Sequence, residues 1–181
     1  MSEYKFKKRR IGEIGFSYMG GVYNKKETDE GIPLWEKDMR VDVVAIDINT
    51  EINATQTKII GEAAHIWVEL PKNISLSTSL NNGGAFVDIV QPIFQKPIFG
   101  WDQAVVNFAA RLDYNDYNKG RFTETGDKIG DKAFALTPAL SFRPSPQTVF
   151  RFNYRYEWKN DPIYNPWEKT ATLYLGLSSY F

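Results

Sequence analysis

The feature that most restricts this chain is strict alternation of apolar and polar residues, which recurs in about eight segments of its 181 residues. The closing stretch "LYLGLSSYF" is the plainest case. Leu173, Leu175, Leu177 and Phe181 fall on one side, and Tyr174, Gly176, Ser178 and Tyr180 on the other. Successive side chains of a strand point to opposite faces, so the pattern predicts a β-strand with one apolar face. Chain ends fray unless something ties them down, so so apolar an end predicts a strand built into a sheet.

The same period returns upstream. "AVVNFAARLDYN" over 104–115 places Val106, Phe108, Ala110, Leu112 and Tyr114 opposite Asn107, Ala109, Arg111, Asp113 and Asn115. "AFALTPALSFR" over 133–143 alternates in the same way, with Pro138 as a blemish because it removes a ladder donor. "QTVFRFNYRYEW" over 147–158 sets Phe150, Phe152, Tyr154, Tyr156 and Trp158 against Arg151, Asn153, Arg155 and Glu157. Earlier strands are expected near 12–23, 40–50, 57–70 and 84–94. Phe16 and Tyr18 oppose Glu13 and Ser17 in the first, and Val44, Ile46 and Ile48 oppose Asp47 and Asn49 in the second. In "TKIIGEAAHIWVEL" and "GAFVDIVQPIF" the face assignment stays open, since bulges shift the parity. No segment shows a convincing helical period.

The connections alternate too. Long polar links such as "NKKETDEGIPLWEKDMR", "PKNISLSTSLNNGG", "DYNKGRFTETGDKIGDK" and "KNDPIYNPWEK" interleave with the shorter "EINATQ", "QKPIFGWDQ" and "PSPQ". In an up-and-down meander this collects the long loops at one end, the pattern of transmembrane β-barrels. A soluble barrel with an apolar interior is the competing architecture. Loop asymmetry argues against it, as do aromatics at both strand ends: Phe142, Phe150 and Phe181 beside the short turns, Tyr114, Tyr156 and Trp158 beside the long loops. Inward Phe, Tyr and Leu from eight strands would also overfill a small barrel. The expectation is an all-β, antiparallel, up-and-down transmembrane β-barrel spanning 1–181 as one domain, with 1–10 a polar N-terminal segment. The alternating leucines then face lipid.

Composition removes other classes. Lysine plus arginine equals aspartate plus glutamate at 22 each, which speaks against nucleic acid as a partner. Cysteine is absent, so no disulfide framework or thiolate chemistry is available. No run approaches the ~18 apolar residues of a membrane helix. "MSEYKFKKRR" has a basic start but no apolar stretch behind it, so it does not read as a secretory signal.

Several segments together resemble the C-terminal half of the phosphate-selective porin O and P family: "IGFSYMGGVYN", "VDVVAIDINTEI", "IIGEAAHIWVEL", "VVNFAARLDYNDYN", "LSFRPSPQTVFRFNYRYEW" and "LYLGLSSYF". The likeness covers nearly all the chain from about residue 11. It implies an outer-membrane channel for small polar or anionic solutes such as phosphate. Family members have about 16 strands, so the chain is expected to be half of such a barrel or a self-contained eight-stranded one. The rival function is a small closed barrel with a structural, anchoring or adhesion role. Implied partners are outer-membrane lipid, the solutes, and the outer-membrane assembly machinery, which reads a terminal aromatic such as Phe181. A homotrimer is the candidate assembly. The small departure is Ser179, where such signatures carry an aromatic.

The residues expected to line the lumen follow from the polar faces. Arg111, Arg143, Arg151 and Arg155 would attract anions, with Asp113, Asn153 and Glu157 as polar lining. Interior ion pairing is the alternative use of the same side chains. Asp42 and Asp47 would offset part of the positive charge. Small residues between Arg111 and Arg155 favour solvated guanidiniums there. Catalysis is not expected, since His65 is the only histidine and no nucleophile motif accompanies it. No cofactor is called for. "ETDE" and "ETGD" lack calcium-loop spacing, and "GG" at 20–21 and 83–84 precedes no helix, so neither reads as a metal or phosphate site.

Overall fold

Alternating residues become strands where each strand can place its apolar side chains beside those of its neighbours. The computed structural model describes residues 12–25, 38–70, 81–122, 125–160 and 167–180. It contains β1 (Glu13–Val22), β2 (Arg40–Ile52), β3 (Thr57–Val68), β4 (Asn81–Gln95), β5 (Val105–Asn118), β6 (Asp131–Ser145), β7 (Thr148–Asn160) and β8 (Glu168–Ser179). They form a single antiparallel sheet in sequence order. The expected all-β, up-and-down meander is therefore present. β4 starts earlier than expected, at Asn81, because "NNGG" pairs with β3 and β5.

Residues opposite one another across a ladder share a face. One row runs Phe16, Ile46, Ala63, Ala85, Tyr114, Phe134, Trp158, Lys169. The adjacent row runs Gly15, Asp47, Glu62, Phe86, Asp113, Ala135, Glu157, Thr170. One face is thus mainly apolar and aromatic and the other mainly polar and small, with Lys169 and Phe86 as the exceptions in these two rows. The ladder also settles β3 and β4: Ala63, His65 and Val87 join the apolar face, Glu62 and Asp88 the polar one.

The apolar face has nothing packed on it among the described residues. Phe16, Leu175 and Phe152 are 76%, 77% and 46% exposed, and no large side chain is fully buried. By contrast, Ala133 and Ala135 on the polar face are only 4% and 1% exposed, sheltered by their longer neighbours. Eight strands about 4.8 Å apart, each at least ten residues long, present an apolar face on the order of 1,000 Å². That exceeds the roughly 300–600 Å² of the largest apolar patch on a typical soluble monomer.

Irregularities sit where the sequence forces them. Pro92 marks a bulge between β4 and β5. At Pro138 the β6–β7 pairing skips from Leu136–Tyr156 to Ala139–Asn153 without changing register. The ring is tolerated because the ladder closes again beyond it. The strand ends that border 23–39, 69–80, 119–130 and 161–167 fall at one end of the sheet, and the links 53–56, 96–104 and 146–147 at the other. β1 and β8 are the two edges and make no contact with each other, so the eight strands do not close on themselves. Phe181, "ETDE" and residues 1–10 lie outside the described residues.

Candidate functional site on the polar face

β4 to β7 bring the expected lining residues together, because Arg111, Asp113, Asn153, Arg155 and Glu157 all fall on one side of adjacent strands. Arg143 and Arg151 share that side near the 146–147 turn, opposite Val105 and Ser141 respectively. Arg111, Thr137, Arg143, Arg151, Asn153 and Arg155 surround a hollow of about 650 Å³.

The four arginines divide into two kinds. Arg111 donates from Nε and Nη2 to both carboxylate oxygens of Asp88, each at 2.6 Å, the two-bond fork that guanidinium geometry favours. Its Cζ also lies 4.4 Å from the centre of the Phe86 ring. Arg155 donates to Asp113 at 2.7 Å through Nη1, and to Glu157 at 2.7 and 3.0 Å through Nη2 and Nε. These two guanidiniums are held by carboxylates, not solvated as the spacing suggested. Facing strands placed the acids within reach. Arg143 and Arg151 are exposed and have no ion pair among the described residues.

Asp42 corrects the sequence reading outright. It shares the apolar face with Val44, opposite Gly20 and Trp67, and so does not offset charge on the polar side. Near the strand end it accepts from Tyr18 Oη at 2.7 Å and from Arg40 at 3.4 Å. Asp47 does lie on the polar face, directly opposite Glu62, and neither has an ion-pair partner among the described residues. Unpaired acids therefore gather on β2–β3 and unpaired arginines on β6–β7.

Asp88 is the residue the sequence did not single out. The signal was its alternation with Val87 and Ile89, but it needed the β4 parity to be fixed first. Thr137, between the two paired arginines, leaves Oγ1 without a partner, and Asn107 donates to Ser141 Oγ at 3.1 Å. No cluster with metal-ligand composition occurs among the described residues.

Because Arg155 joins two carboxylates, its loss leaves Asp113 and Glu157 uncompensated. Hydrogen bonds to charged groups contribute about 1.5–3 kcal/mol when sheltered and less when wet. Arg155 is 27% exposed in its side chain, so Arg155→Met is expected to cost about 1–2 kcal/mol in denaturant unfolding. Arg155→Lys should recover only part, because an ammonium lacks the fork. Equal stability of Arg155→Met and wild type would remove this network from the fold's support.

Compared with protein-family models, curated proteins and solved structures, the chain finds no match.

Proposed function

We propose that this sheet is wall from an outer-membrane β-barrel, with the apolar face against lipid and the polar face along a water-filled passage for small polar or anionic solutes. The observation that carries the reading is the uncovered apolar face of a one-layer sheet. In water such a face requires a second layer, whereas hydrocarbon covers it without one. Strands of ten to fifteen residues meet the ~9–11 that a tilted membrane strand needs. On β7, Phe150 and Trp158 are about 27 Å apart along the strand, or roughly 21 Å in depth at a 40° tilt, close to the ~25 Å apolar band of such barrels. Phe142 stacks with Phe150 at one end, and Tyr156 and Phe134 pack on Trp158 at the other, forming two aromatic levels.

Selectivity in this reading falls to Arg143 and Arg151, since Arg111 and Arg155 are neutralised by their partners. Asp47 and Glu62 oppose them, so the preference for anions is modest. The test is conductance of the assembly extracted from its own membrane and placed in a planar bilayer under a salt gradient. Discrete channels with an anion-favouring reversal potential are expected. Membrane-inserted strands without conductance would instead support the anchoring role, in which paired arginines simply fill the interior.

A further inference from the structure

A lysine and a histidine meet on the apolar face, where charge is least expected. The Lys119 ammonium donates to His65 Nδ1 at 3.1 Å. Their seat depends on Gly83: a Cβ there would stand 2.7 Å from Lys119 Nζ and 2.9 Å from His65 Nδ1. No carboxylate forms an ion pair with Lys119 among the described residues. Asp116, the acid at the end of β5, is engaged by Lys132 at 3.6 Å. Trp67 packs its ring on His65 with centres 4.3 Å apart.

Beside this pair lies a hollow of about 510 Å³. Ala63 and Ala85, opposite one another on β3 and β4, keep its floor low, and Phe16, Ile46 and Tyr114 stand around it. An apolar groove with a cationic head matches an amphiphile that has a chain and an anionic group. An ammonium has three protons to donate, and His65 uses one, leaving two for phosphate oxygens. We infer that this is a docking site for a membrane lipid, its phosphate on Lys119 and its acyl chain over Ala63 and Ala85. The inference rests on the proposed reading that this face meets lipid. Soluble phosphate would satisfy the head but leave the hollow unfilled.

The test incorporates the native assembly into phosphatidylcholine vesicles with or without phosphatidic acid, then identifies retained lipid by native mass spectrometry after gentle extraction. Preferential retention of phosphatidic acid is expected. Lys119→Gln and Gly83→Ala should each reduce that preference roughly tenfold, the size of one charge-assisted hydrogen bond, with incorporation unchanged. No preference in the wild type, or a preference intact in both variants, overturns the site. Inorganic phosphate should fail to compete, and competition by it would overturn the lipid assignment in favour of a soluble anion. Failure to incorporate into either vesicle overturns the membrane reading and this site together, whereas incorporation without preference overturns this site alone.

Discussion

Phe152→Arg is expected to destabilise the chain in lipid vesicles by about 2–4 kcal/mol, while Asn153→Arg next to it costs much less. The two positions are neighbours in sequence and lie on opposite faces: Phe152 pairs with Leu140 and Leu175, Asn153 with Ala139 and Tyr174. Phe152 is 46% exposed, so packing within the sheet accounts for only part of its environment. In the proposed reading lipid supplies the rest. An arginine there would bring its guanidinium into hydrocarbon near mid-membrane. At 153 the same guanidinium would join Arg151 and Arg155 on the polar side, where like-charge repulsion is weakened by water and salt. Denaturant unfolding from vesicles measures both. Equal penalties would end the membrane assignment.

The second large effect is electrical. Replacing Arg143 and Arg151 together with glutamate changes the local charge by about four units, within a screening length of ~10 Å. Neither arginine has an ion-pair partner among the described residues, so in the proposed passage the change would be felt by permeating ions. The double variant is expected to turn an anion-favouring reversal potential into a cation-favouring one. Arg111→Gln should move it less, because it changes the local charge by about one unit where the double variant changes it by about four. An unchanged potential in the double variant would take these arginines out of the passage.

Faces were legible in the sequence wherever the two sides differ in chemistry. Phe108, Leu140 and Phe152 against Asn107, Ser141 and Asn153 leave no choice of side, and the ladder agrees. β3 and β4 were opaque because Ala63 beside Ala64, and Gly83 and Gly84 beside Ala85, give small residues to both faces. A one-residue slip there exchanges the faces without changing the pattern. The Arg111–Asp88 fork was hidden for the same reason, since it requires the β4–β5 register. Asp42 shows a different limit. Its charge suggested the polar side, but its parity with Val44 fixes the other, and Tyr18 and Arg40 make that tolerable. Lys119 escaped notice because it follows the irregularity between Asp116 and Asn118, beyond which simple alternation no longer says where a side chain goes.

Under the proposed membrane reading, the two free edges have a consequence for how the sheet would enter a bilayer. Along an outer strand, every second residue directs its N–H and C=O away from the sheet, and β1 and β8 are ten and twelve residues long. In hydrocarbon each such group left bare costs several kcal/mol, so two open seams would together cost tens of kcal/mol. No sum of leucine side chains entering lipid on one strand at a time offsets that at an early stage. If the sheet is barrel wall as proposed, entry into the bilayer and the stitching of both seams are expected to be one concerted event, with a sheet halted halfway held at the water boundary, dependent on whatever strand is offered to it there.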